Sequence, residues 1–98
     1  MKITYKDRKM EEICTDYHAA KKQHGIAMAG KIHQRIKEIR ASETVELMIQ
    51  YGVGRCHLLK GNRKGSYAVD LIQPYRLVFE KHGEEIQIAH IMEIVDYH

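Results

Sequence analysis

The spacing of apolar residues changes character once along the chain, near Gly54: before it they recur at helical intervals, and after it they alternate. Met10, Ile13, Cys14 and Tyr17 fall at i, i+3, i+4 and i+7, which predicts a helix from Arg8 to His18 with these residues along one side. Gly25 breaks that pattern. Met28, Ile32, Ile36 and Ile39 then define a second helix, whose other faces carry Lys31, Arg35, Lys37 and Arg40 as a solvated surface. Ser42 is placed to cap a short third helix containing Val45, Met48 and Ile49, with Gly52 and Gly54 ending it. Ahead of all of these, Met1 to Tyr5 alternates loosely and reads as a short first strand.

In the second half the glycines become turn punctuation. Cys56 to Leu59 reads as a strand, Gly61 to Gly65 as a hairpin loop, and Tyr67, Val69 and Leu71 as one face of the next strand. Pro74 cannot donate to a ladder and marks a turn. Tyr75, Leu77 and Phe79 alternate again, His82-Gly83 makes another turn, and Ile86 to Val95 supplies a final strand. Strands joined by short loops pair antiparallel. The predicted fold is therefore α+β: a short N-terminal strand and two to three helices packed on one face of a mainly antiparallel sheet.

At 98 residues the chain is expected to form one small domain spanning 1–98. Its 44% hydrophobic and 30% charged content is that of a globular protein and argues against disorder. No apolar run approaches the roughly 20 residues needed to cross a bilayer, and Met1 to Tyr5 is not a signal peptide, so a cytoplasmic protein is expected. Cys14 and Cys56 lack metal-site or disulfide spacing and read as small buried hydrophobes.

Charge sharpens the picture. The net charge is +3, but Arg55, Lys60, Arg63, Lys64 and Arg76 face a single acid, Asp70, within Arg55 to Arg76, whereas His82 onward holds four acids and no Lys or Arg. The middle of the chain is a local positive field suited to a phosphate-bearing or acidic partner. Alternation places Arg55 and His57 on one face of their strand. It also turns Arg76 away from Tyr75, Leu77 and Phe79, out onto the open face of the sheet. The final strand delivers Asp96, Tyr97 and His98, an acid, a phenol and an imidazole, at the end of something rigid. Taken singly each residue has a plain structural use: solubilising charge at Lys60, Arg63 and Lys64, a structural bond for a strand histidine, and an ion pair between Arg76 and Glu80 or Asp70.

Taken together they resemble a known family. The run from Arg55 through His57-Leu58-Leu59-Lys60-Gly61-Asn62-Arg63-Lys64-Gly65 to Val69, then Pro74-Tyr75-Arg76-Leu77-Val78-Phe79, then Asp96-Tyr97-His98, is similar to the RelE/HigB-type toxins of bacterial type II toxin-antitoxin pairs, in particular the plasmid-maintenance killer branch. Leu58 departs from the proline common there. The resemblance implies a RelE-like fold and an endoribonuclease that cleaves messenger RNA on the ribosome, silenced by a partner antitoxin with a helix-turn-helix domain. It carries the family's active-site positions onto His57, Lys60, Arg76, Asp96, Tyr97 and His98, with Arg55, Arg63 and Lys64 on the phosphate-binding surface.

RNA brings its own nucleophile, the 2′-hydroxyl, so such a set needs no metal and no cofactor. A base takes the 2′ proton, an acid protonates the departing 5′ oxygen, and cations stabilise the charge on phosphorus. His57 and His98 are the candidate acid-base pair, because histidine titrates near neutral pH; which of them is the base is open. Lys60 and Arg76 supply charge, Asp96 orients an imidazole or acts as a base, and Tyr97 stacks on a base or bonds the phosphate. A nucleic-acid-binding module without catalysis and a silent interaction subunit are the alternatives, and a metal enzyme is disfavoured by the histidine spacing.

Overall fold

The computed structural model describes residues 1–61 and 65–97. Strand β1 (Lys2–Tyr5) leads into α1 (Arg8–Thr15), whose first turn is capped by Asp7 accepting from the Met10 N–H at 2.9 Å. The helix expected to reach His18 stops at Asp16. That residue's carboxylate accepts from the His18 and Ala19 N–H groups and starts α2 (Tyr17–His24) in a new direction. Tyr17 accordingly leaves the α1 stripe and packs edge-on against His33, with ring centroids 5.7 Å apart. The extra helix had no periodic apolar signal, since only Ala20 on it is buried.

Gly25, at φ 91°, divides α2 from α3 (Ile26–Ala41), which buries Met28, Ala29, Ile32, Ile36 and Ile39. Ser42 caps the end of α3, its hydroxyl donating to Glu38 O at 2.8 Å. The start of α4 (Val45–Gln50) is instead capped by Thr44, whose Oγ1 accepts from Leu47 N at 3.1 Å. A 3₁₀ turn (Val53–Arg55) connects to β2 (His57–Leu58), β3 (Ser66–Asp70), β4 (Tyr75–His82) and β5 (Ile88–Asp96).

The five strands form one sheet in the order β1-β5-β4-β3-β2. Neighbours in sequence pair antiparallel as expected, while β1 runs parallel to β5, so the sheet is mixed. Tyr67, Val69, Leu71, Leu77, Phe79, Ala89 and Ile91 face the helices and meet Ile32, Ile36 and Ile39 in the main core. The opposite face is not bare. Leu59, Ala68 and Val78 are buried there with Met92 and Val95 packed against them, forming a small second cluster.

One irregularity sets the geometry of the chain end. Val78 pairs with Glu93 but Phe79 pairs with Ile91, which makes Met92 an extra residue on β5. Because side chains alternate with a period of two, one inserted residue exchanges the faces of everything after it. Ile94 thus joins the helix-side core, and Val95 joins the cluster on the open face.

Candidate active site

The open face carries its polar groups at the end where β3 and β4 meet. Arg76 opposes Asp70 across that pair and Val95 on its other side. Its guanidinium is held from three directions. The Nε lies 3.4 Å from Asp70 Oδ1, NH1 lies 3.5 Å from His57 Nε2, and the guanidinium carbon sits 4.8 Å above the centre of the Tyr97 ring. A cation fixed by its edge, its tip and its face loses little further freedom on meeting a phosphate.

His57 comes from β2, where it pairs with Ala68 of β3 and so shares the open face. Its Nδ1 is 2.9 Å from the Arg55 carbonyl oxygen. A carbonyl only accepts, so Nδ1 carries the proton and, in the neutral ring, Nε2 carries the lone pair. Arg55 lies in the 3₁₀ turn, not on the strand. Its φ of 54° is the one left-handed value among the described non-glycine residues, and it is the turn after Gly52 and Gly54 that aims its carbonyl at His57. The Arg55 side chain is 76% exposed and reaches Asp70 Oδ2 with its Nε at 3.2 Å.

Tyr97 is brought in by the β5 bulge and by a hydrogen bond from its N–H to Pro74 O at 2.9 Å. The same alternation sends Asp96, paired with Tyr75, toward the other face. Asp96 is thus not on the Arg76 side with Tyr97: alternation alone puts the two on opposite faces, and only the bulge decides which of them joins Arg76. Lys60 is exposed just beyond β2, at the start of the hairpin loop. Arg63, Lys64 and His98 lie outside the described residues.

Asp70, offered beside Glu80 as an ion-pair partner for Arg76, is that partner and also the node of the site. It is 6% exposed, and Gln73 Nε2 lies 3.5 Å from its Oδ2 beside Arg55. Oδ1 has no aligned hydrogen bond; its approach to Arg76 is an ion pair. From the helix side, Arg35 donates its Nε to the Asp70 carbonyl at 2.6 Å and pairs with Glu38 at 2.8 Å. The reading of Arg35 as wet helix surface is corrected by this bond, because a long side chain on a packed helix reaches past its own face to the sheet edge.

Three of the other described histidines are engaged elsewhere. His33 meets the Ile13 carbonyl at 3.2 Å, His90 meets Thr4 Oγ1 at 2.8 Å, and His82 stacks on His90 and contacts Glu80 at 2.9 Å. Among the described residues no three His, Cys, Asp or Glu side chains group as metal ligands; the groups that do meet are two guanidiniums, an imidazole, a phenol and a carboxylate. None of the helices is long and apolar enough to cross a membrane among the described residues.

No protein-family model matches the chain, and no curated protein matches it. Solved structures do. A YoeB/ParE toxin from Agrobacterium tumefaciens, 19% identical, matches over the whole of both chains with a TM-score of 0.66. The YoeB dimer from Staphylococcus aureus, 26% identical, is matched over all of this chain and 97% of that one with a TM-score of 0.62.

Proposed function

We propose that this chain, a RelE-type toxin in its fold, is the toxin of a toxin-antitoxin pair and acts as a metal-independent endoribonuclease on messenger RNA at the ribosome. The observation that carries the reading is the meeting of His57, Arg76 and Tyr97 on the open face of the sheet. Arg76 is the electrophilic stabiliser, its fixed charge facing the oxygens of the scissile phosphate. His57 is the base: the Arg55 carbonyl holds its proton on Nδ1 and leaves Nε2 to take the proton of the 2′-hydroxyl.

The bond from the 2′ oxygen to phosphorus forms as the bond to the 5′ oxygen breaks. The departing oxygen takes its proton from an acid, the role given to His98, and the product end is a 2′,3′-cyclic phosphate. Tyr97, already stacked on Arg76, offers its ring or hydroxyl to the nucleotide beside the break. The phosphate-binding role is given to Lys60, Arg63 and Lys64, and Asp96 is given the orienting of an imidazole or the role of a base. The protein works in the cytoplasm, and an antitoxin with a helix-turn-helix domain covers the basic face to silence it.

The test is cleavage of messenger RNA by the purified chain in a translating system, with and without chelator. We expect cyclic-phosphate ends that form in chelator, and about a 100-fold or greater loss in folded His57→Gln. Products bearing 3′-hydroxyls only when Mg²⁺ is present would refute the mechanism. The alternative, a surface that holds nucleic acid without cutting it, predicts binding that survives His57→Gln and falls steeply with salt, and no cleavage by the wild-type chain.

A further inference from the structure

Asp70 is a buried carboxylate with a guanidinium on each side, Arg76 at Oδ1 and Arg55 at Oδ2. Both approach through Nε, the inner nitrogen, and Arg76 also sets NH1 3.5 Å from His57 Nε2. Packing alone gives no reason for this arrangement. Arg55 is 76% exposed, and a pair with so exposed a partner adds little to stability. Its backbone is nonetheless held in a left-handed conformation that disfavours side chains, a strain of the kind that persists where a site is over-determined. That single turn delivers two things at once, the carbonyl that orients His57 and the guanidinium that reaches Asp70.

We propose that Asp70 is a positioning residue that holds Arg55 and Arg76 as a two-cation clamp for neighbouring phosphates of one RNA strand, Arg76 at the scissile phosphate and Arg55 at the next. This rests on the nuclease reading above. Asp70 itself does not touch the substrate. Its charge opposes the phosphates, so its value lies in where it fixes the cations, and binding and turnover respond to its loss in opposite directions.

The experiment compares wild type, Asp70→Asn, Asp70→Glu and Arg55→Gln as full chains, measuring kcat, KM, melting temperature, and affinity for an oligonucleotide with a 2′-deoxy residue at the cut position. In Asp70→Asn, kcat is expected to fall about 10- to 100-fold, as misplacement of a reacting group does, while affinity for the uncut oligonucleotide holds or rises because a negative charge has left the face. Asp70→Glu recovers part of kcat. Arg55→Gln raises KM, keeps kcat within a few-fold, and lowers the salt slope of binding by about one.

Asp70→Asn with wild-type kcat, or with kcat and affinity lost together in step with its folded fraction, would overturn the clamp. Should Asp70→Asn not fold, Arg55→Gln decides: an unchanged salt slope overturns the proposal, and the expected one supports it. A folded wild-type chain that cuts no RNA overturns the nuclease reading itself, and the clamp with it. Cleavage by wild type with indifferent Asp70 variants overturns the clamp alone.

Discussion

Gly54→Ala tests how the helix layer supports the site, and its effect can be worked from the geometry. Gly54 has φ 57°, a conformation that costs an alanine about 1–2 kcal/mol. A Cβ there would stand 2.9 Å from Arg35 Nε, 3.0 Å from Arg35 Cδ and 3.1 Å from Val69 Cβ. Val69 is fully buried and has nowhere to go. Arg35 is flexible in principle, but its Nε is bonded to the Asp70 carbonyl at 2.6 Å, so moving it gives up a charged-donor hydrogen bond of about 1.5–3 kcal/mol.

The smaller unfolded ensemble of alanine returns only about 0.4–1 kcal/mol. The expected loss is therefore about 2–4 kcal/mol, a large share of the about 5–15 kcal/mol that a domain has, and a fall in melting temperature of about 10–25 °C for a chain of this size. Thermal and urea unfolding followed by circular dichroism measure it. Gly30→Ala is the control: a Cβ there meets nothing within 4 Å on a helix, and it is expected to stabilise by about 0.5–1 kcal/mol. If Arg35 is the obstacle, Gly54→Ala becomes about 1 kcal/mol or more milder in an Arg35→Ala background. A loss under about 1 kcal/mol, or strict additivity with Arg35→Ala, refutes the argument.

Three further outcomes are expected. Hydrogen bonds from Gln87 at 2.7 Å and then Lys81 at 2.8 Å hold the Glu46 carboxyl down from the usual 4.5 to about 2. The unfolded chain takes up that proton first as pH falls, so the stabilisation is whole above about pH 4.5 and drains away toward about pH 2; acid unfolding of Glu46→Gln should show a shallower dependence across that window. Burial pushes the Cys14 thiol up to about 12 and the Cys56 thiol up to about 11, so at pH 8 neither is nucleophilic, and a colorimetric thiol reagent should react only on denaturation. Phe79→Ala removes the largest fully buried side chain and should cost about 3–5 kcal/mol by urea titration.

Much of the architecture was written in alternation and helical period. Val69, Leu71, Leu77 and Phe79 were read onto the helix side and Arg76 onto the other, and the sheet has them there. Periodicity fails where its signal is local and weak or where the determinant is distant. Tyr17–His24 forms a helix with almost no apolar stripe because Asp16 caps it and Ala, Lys and Gln favour it. Leu58, which alternation puts on the same face as Cys56, is exposed because β2 lies at the sheet edge and only Cys56 reaches the core. Pairing of Lys2–Tyr5 with Ile88–Ile91 leaves no trace in either segment. Within the site, His57 and Arg76 could be named from residue type and spacing. Asp70 was named beside Glu80 as a partner for Arg76, but the choice between them and the second pair with Arg55 could not be read, since only the β3/β4 register sets Asp70 opposite Arg76. Nor could the parity of Asp96 and Tyr97, which depends on one unpaired residue, Met92.

The place of β5 between β1 and β4 ties the assembly of the sheet to that of the site. β5 is interior to the sheet, so a chain cut before Ile88 leaves β1 with no neighbour and Arg76 without the aromatic ring beneath it. The arginine of the site and the ring that covers its face are therefore completed together, by the one strand that also closes the sheet onto β1.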